Sequence, residues 1–387
     1  MSRFVKSSLL SSTTDSALYP SPDVSYGRPY YESCAKHVKD TFHASRIYII
    51  ASKSLARNTD KVDKLIQALG KDNVVGLRKG TTPHTPWSEI LSIVAGCREA
   101  KADCVVTLGA GSTTDGAKLV VLVNIPSDVK WPTVPLITIP TSLSGGEYFS
   151  LAGGTDDSTN HKQGLLHSGM GSKLIILDPE LCLTTPEYHW LSTGIRSVDH
   201  CVEALCCLTA TPASDEKAEK GLRLLVPSLL KCKTDPGDTL ARHKCQIAVN
   251  YAMNTVRAGI PMGGSHAIGH QLGPLGVPHG ITSCIMCPAV MKWNIRHGTS
   301  NAEIARRQDK VKGILWSEPE VAKTLKGAGL SEGSADLGDL LDAIILNVSP
   351  DLIPGLSKRA LDDFWAPTNP VPLLKAEQVR DILEMVA

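Results

Sequence analysis

Short runs of aliphatic residues, each too short for a buried helix, recur through the first half of this chain and then stop. Arg46-Ile-Tyr-Ile-Ile-Ala51, Asn73 to Leu77, Cys104-Val-Val-Thr-Leu108, Val134-Pro-Leu-Ile-Thr-Ile139 and Lys173-Leu-Ile-Ile-Leu177 read as buried strands. Between them the apolar period becomes helical. Gly70 stops a helix over Lys61 to Leu69, and Ile90, Ile93, Val94 and Cys97 follow Thr85 as a cap and Pro86 as first helical residue. Strands alternating with helices specify a parallel sheet covered on both faces. Residues 1 to about 28 are polar and turn-rich, an expected arm with one short strand.

Beyond Pro186 the strand signals cease. Ser192 to Ala210, Glu216 to Leu230, Ala241 to Ala258 and Ser265 to Leu272 carry helical periods, as do segments around Ala302 to Leu325, Ser334 to Leu346 and Ala376 to Val386. An α/β half followed by an all-α half is therefore expected, divided between Asp178-Pro179 and Pro186. A chain of 387 residues is long enough for both.

Lys and Arg number 40 against 39 Asp and Glu. So even a balance argues against nucleic acid or an anionic membrane as partner. No apolar run approaches a spanning helix, and acidic Asp15 follows a Ser/Thr-rich start that has no hydrophobic signal core. A soluble cytoplasmic protein is expected. The 11 cysteines, an odd number scattered through apolar segments, suit buried reduced thiols. Cys284 and Cys287 form a C-x-x-C with no second pair, which reads as core packing.

Candidate chemistry concentrates in the second half. His266 and His270 are four residues apart and would leave one helix face together, and the turn after Gly273-Pro274 brings the chain back with His279. Arg196, His200 and Glu203 lie at i, i+4 and i+7 beside an apolar stripe of Ile195, Val198, Val202 and Leu205. Such a line is either a solvated face or a functional one, and His200 would then join the other histidines. In the first half, Gly109-Ala110-Gly111-Ser112 sits where a strand ends and a helix begins, a place suited to a pyrophosphate. It lacks the third glycine of the G-x-G-x-x-G fingerprint and is no P-loop. A second loop, Pro140-Thr141-Ser142-Leu143-Ser144-Gly145-Gly146-Glu147, follows the next strand and is expected to line the same crevice.

Gly109 to Lys118 resembles the Gly-Gly-Gly-Ser-x-x-Asp-x-x-Lys loop of the iron-containing alcohol dehydrogenase family. Asp178-Pro179, Gly194 to Glu203, the His266/His270/His279 cluster and Thr368-Asn369-Pro370 match later landmarks in the same order. The resemblance implies a Rossmann-like dinucleotide-binding domain over 1–182, a helical catalytic domain over 183–387, and a dehydroquinate synthase-like fold. It further implies NADP(H) or NAD(H) held by Ser52, Gly109, Ala110, Gly111, Ser112, Asp115, Thr141, Ser142, Lys162 and Leu183, with Lys118 supporting the loop. A cytoplasmic homodimer acting on a small molecule is expected.

The family holds its metal with one Asp and three His. Here His200, His266 and His279 match the histidine positions, while His270 matches the histidine near substrate and nicotinamide. The Asp position falls on Arg196. A guanidinium cannot coordinate a metal, and its repulsion of a dication in a sheltered site would cost on the order of several kcal/mol. Metal independence is therefore expected, with Arg196, His200, His266, His270 and His279 as catalytic candidates. The Pro140 to Glu147 loop and Pro83-His84-Thr85-Pro86 are similar to the maleylacetate reductase branch, which also departs from Asp at that position. An NAD(P)H-dependent reductase of a carbonyl or enone, with a small anionic substrate, is the reading that results. Ser52, standing where many members carry an acidic residue at the adenosine ribose, predicts that NADPH is accepted. The alternatives are a metal-dependent alcohol dehydrogenase and a non-redox lyase or dehydratase on the same fold.

Overall fold

A computed structural model describes residues 3–5, 21–81, 85–123, 134–159, 162–273, 277–345 and 368–386. They form two compact units, 1–185 and 186–387. Unit 1 contains β1 (Arg3–Val5), β2 (Asp23–Tyr26), α1 (Tyr30–Asp40), β3 (Ile47–Ala51), α2 (Lys53–Asn58), α3 (Lys61–Leu69) and β4 (Val74–Lys79). It continues with α4 (Trp87–Glu99), β5 (Cys104–Gly109), α5 (Gly111–Val123), β6 (Leu136–Pro140), β7 (Leu151–Thr155), β8 (Lys162–Leu166) and β9 (Leu174–Leu177). Seven strands form one sheet in the order β1-β2-β9-β6-β5-β3-β4, parallel except for β1, which pairs antiparallel with β2.

Alternation along each strand decides what covers which face. Ile47, Ile49 and Ala51 of β3, with Val106 and Leu108 of β5, pack under Cys34 and Val38 of α1 and Val62, Leu65 and Leu69 of α3. Ile50 and Val105, one residue out of phase, pack under Ile90, Ile93 and Val94 of α4 and Leu119 and Val120 of α5. Both faces are covered, as the strand–helix alternation predicts.

Several local expectations need correction. The amino-terminal segment supplies two strands rather than one, and β2 extends the central sheet. Helix α4 starts at Trp87 with Pro86 as its N-cap. Thr85 is not its cap: at φ 51° it turns the chain, and its hydroxyl donates to the Gly153 carbonyl. Helix α1 and the antiparallel pair β7–β8 have no counterpart in the reading of the sequence.

Among its described residues the regular elements of unit 2 are α-helices: α6 (Glu187–Cys206), α7 (Pro212–Thr234), α8 (Thr239–Arg257), α9 (Gly264–Leu272) and α10 (His279–His297). These are followed by α11 (Ala302–Ser317), α12 (Pro319–Gly327), α13 (Leu337–Ile344) and α14 (Ala376–Glu384). The expected helix around 302–325 is two helices, because Pro319 lacks the N–H that would continue α11 and instead opens α12. All 11 cysteines are buried free thiols, Cys284 and Cys287 within the α10 core. No helix of the described residues is long and apolar enough to cross a membrane.

Candidate active site

In unit 1 the chain runs from β3 outward to β4, then returns to place β5 and β6 on the other side of β3. Open α/β sheets bind ligands at such a reversal, outside the carboxyl ends of the strands. Ser52 stands there: its N–H donates to the Leu108 carbonyl at 2.9 Å, and its hydroxyl caps α2 by accepting from the Leu55 N–H at 3.4 Å. Gly109 ends β5 beside it. A Cβ on Gly109 would meet Thr113 Oγ1 at 2.8 Å and Ser52 Cβ at 3.0 Å, and one on Gly111 would meet Ser144 Oγ at 2.9 Å. Close approach therefore requires glycine at both positions.

The second loop packs on the first. The Thr141 N–H donates to the Gly109 carbonyl at 3.0 Å, and Ser142 and Ser144 share a hydroxyl hydrogen bond. Thr141 and Ser142 are buried, whereas Ala110 and Gly111 are half-buried and Ser112 is exposed at the α5 start. Lys118, fully buried, ties the region together by donating to Asp115 Oδ1 at 3.0 Å and to the Leu151 carbonyl at 2.8 Å. Glu147, also buried, has its carboxyl pushed up to about 7, chiefly by desolvation. Leu183 is an exposed apolar side chain. Lys162 opens β8, and its side chain lies outside the described residues, as do Pro83, His84 and Pro274.

In unit 2 the line Arg196, His200, Glu203 is no solvated face. All three are buried, together with Asp199 between them. The Arg196 guanidinium donates from Nη1 to Ser283 Oγ at 3.3 Å and to the His279 carbonyl at 3.4 Å. Glu203 accepts the Gly263 and Ser265 N–H groups at 3.0 and 2.8 Å, satisfying the start of α9, and reaches His266 Nδ1 at 2.7 Å. Asp199 accepts from Ser265 Oγ at 2.7 Å. Asn369 joins from the far end of the chain, accepting the Gly264 N–H at 3.0 Å.

The imidazoles form a string. His200 and His266 meet with ring centroids 4.4 Å apart, His266 and His270 with 6.3 Å, and His270 and His279 with 5.9 Å. His200 Nδ1 donates to the Arg196 carbonyl at 2.8 Å, and its Nε2 faces His266 Nε2 at 3.2 Å. Burial holds His200 well below the ordinary imidazole value and His266 down at about 3, with the Arg196 charge acting in the same direction. Neutral rings require His266 to donate through Nε2 and to accept at Nδ1 from a protonated Glu203, which burial pushes up to about 7. Burial raises Asp199 as well.

The donor set tests for a metal. Two imidazoles on one ion at about 2.1 Å would stand roughly 3.3 Å apart, and the 3.2 Å between His200 and His266 suits that. The anionic ligand of an Asp/His₃ set is absent, and a buried guanidinium occupies its helix position. Asp199, Glu203 and His266 also offer ligand atoms within 4.8 Å of one another. There the 2.7 Å contact is a hydrogen bond, and Glu203 already accepts two backbone N–H groups. The side chains at the Asp/His₃ positions do not fit that ion.

Comparison with known proteins agrees with this organisation. The model described as iron-containing alcohol dehydrogenase matches residues 22–179, and that of the Fe-containing alcohol dehydrogenase family, C-terminal, matches residues 190–387. The chain belongs to the iron-containing alcohol dehydrogenase family. It is accordingly an oxidoreductase. The dehydrogenase ALT3 of Alternaria alternata is 35% identical over 385 residues, covering 88% of this chain and 99% of that one. The dehydrogenase FUM7 of Gibberella moniliformis is 34% identical over 414 residues, covering 95% and 96%. Among solved structures, maleylacetate reductase from Agrobacterium tumefaciens superposes with a TM-score of 0.74 at 22% identity, covering 95% of this chain and 96% of that one.

Asp199 and Ser283 join this network without having been singled out in the sequence, while Ser265 and Asn369 entered it only as the start of a helix and as part of a family landmark. A signal existed for Asp199. Arg196, Asp199, His200 and Glu203 fall at i, i+3, i+4 and i+7, a polar stripe on a helix whose other faces are largely apolar.

Proposed function

We propose that this member of the iron-containing alcohol dehydrogenase family is an NAD(P)H-dependent reductase that works without a bound metal. The observation that carries the reading is the buried Arg196 guanidinium one helical turn before His200. Unit 1 supplies the cofactor turn around Gly109 to Ser112 with Thr141 and Ser142, and unit 2 supplies the groups that act on the acceptor. A nicotinamide held there would supply the hydride for a carbonyl carbon or for the conjugate position of an enone. Arg196 stabilises the negative charge that develops on the substrate oxygen. His270, half-buried, donates the proton, since both His200 nitrogens are engaged. The same guanidinium favours a small anionic substrate through paired hydrogen bonds. A cytoplasmic homodimer without nucleic-acid or membrane partners completes the proposal.

A second reading, a metal-dependent alcohol dehydrogenase, is favoured by the 3.2 Å separation of the two Nε2 atoms. A screen of carbonyl and enone compounds with NADPH and NADH, with and without chelator, separates them. Chelator-insensitive loss of nicotinamide absorbance supports the proposal, whereas activity abolished by chelator supports the metal enzyme. Substrate consumed with no absorbance change points to lyase or dehydratase chemistry.

A further inference from the structure

Cys232, near the end of α7, and Cys245, in α8, meet beneath the exposed stretch 233–237 that joins the two helices. Both side chains are buried, and the two thiols are hydrogen-bonded to one another. The Trp190 indole, in the first turn of α6 and also buried, presents its N–H to the Cys232 sulfur. That N–H has no oxygen or nitrogen partner among the described residues. Arg242 stacks over the same indole at 4.6 Å from the ring centroid, and its Nε donates to the Pro236 carbonyl at 3.0 Å, which fixes a positive charge beside the pair.

This cluster reverses what burial does to thiols elsewhere in the chain. Burial pushes Cys34, Cys97 and Cys284 up to about 12. Cys232 is instead held below the ordinary thiol value, by the Cys245 hydrogen bond first and then by Trp190 and Arg242, against its own burial. The thiolate is the nucleophilic form of cysteine, and here a second thiol stands beside it. An oxygen added to the Cys232 sulfur would also give the Trp190 N–H the strong acceptor that it lacks.

We propose that Cys232 and Cys245 form a thiol-oxidation site that takes a hydroperoxide as oxidant and closes to a disulfide between α7 and α8. The Cys232 thiolate attacks the peroxide: an S–O bond forms as the O–O bond breaks, and the leaving oxygen takes the proton shed by Cys232 and departs as water or an alcohol. The Cys245 sulfur then attacks the sulfenic sulfur, and the S–O oxygen leaves as water with the Cys245 proton. The two sulfurs together lose two electrons and the peroxide gains them. The site requires neither a cofactor nor a metal.

Peptide mapping by mass spectrometry tests this on the full chain, folded and reduced, treated with a few equivalents of hydrogen peroxide and then alkylated. Cys232 and Cys245 should be joined in one disulfide, formed at least about tenfold faster than any other thiol is lost and released by dithiothreitol, as thiolate character predicts. In Cys245→Ser the intermediate should persist and be captured at Cys232 by dimedone, whereas Cys232→Ser should show neither capture there nor a bridge. Mapping of the parent chain decides the matter even where a serine variant fails to fold. Recovery of Cys232 as a free thiol while other cysteines are oxidised, a bridge formed only after unfolding in denaturant, or dimedone capture at other cysteines ahead of Cys232 would each overturn the assignment.

Discussion

His200 Nε2 and His266 Nε2 face one another at 3.2 Å, each on a ring whose Nδ1 is already engaged, by the Arg196 carbonyl and by Glu203. The pair is held by its own network, with the Arg196 guanidinium where an Asp/His₃ site needs an anion. Arg196→Asp should therefore create a metal site from groups already in place. The variant is expected to bind close to one equivalent of Zn²⁺ or Fe²⁺, measured by elemental analysis after dialysis, and to lose reductase activity by about a hundredfold or more when stripped. A variant that binds no more metal than the parent would show that the remaining ligands are misplaced.

Glu203 closes the start of α9 and orients His266 at once. Glu203→Ala leaves two buried N–H groups and an imidazole nitrogen without their partner, and each such group costs roughly 1–3 kcal/mol. A loss of about 3 kcal/mol or more in urea unfolding is expected. Glu203→Gln keeps an acceptor for the Ser265 N–H and a donor for His266 Nδ1 but loses the acceptor for the Gly263 N–H, so it should recover part of the loss; equal losses in both variants would rule out the hydrogen-bond account.

Glu147 links stability to pH. Burial raises its folded pKa to about 7, above its unfolded value, so its contribution is fully present below the unfolded value and is lost as pH rises through about 7. The cost at pH 8 approaches roughly 3 kcal/mol. Glu147→Gln should be the more stable protein at pH 8 and should show a shallower decline between pH 5 and 8 in denaturant melts. Parallel curves for parent and variant would contradict this.

Gly109 is fixed by its neighbours. A methyl group there meets Thr113 Oγ1 at 2.8 Å and Ser52 Cβ at 3.0 Å. Gly109→Ala is expected to cost about 1–3 kcal/mol and to weaken nicotinamide cofactor binding about tenfold, read by fluorescence titration. Unaltered affinity would place the cofactor elsewhere.

What could be read from the sequence depended on how strongly a pattern is tied to burial. Strands β3, β5, β6 and β9 are aliphatic on both faces and announce themselves, and so do the long helices of unit 2. Helix α1 mixes Lys, His, Glu and Asp among few apolar residues, and β7–β8 carries Gly153, Gly154 and Gly164, so neither shows a clean period. The polar stripe of α6 was visible, but periodicity alone does not say whether such a stripe faces water. Packing by α10 and hydrogen bonds from Ser265 and His266 of α9 supply the answer, and with it the place of Asp199.

The most direct test of a cation taking over from a metal is elemental analysis of the parent chain purified without chelator, paired with NADPH-dependent turnover before and after chelation. The account predicts iron and zinc well below one equivalent per chain and turnover unchanged by the chelator. About one equivalent of either metal, with activity lost on its removal and restored on its return, would contradict it.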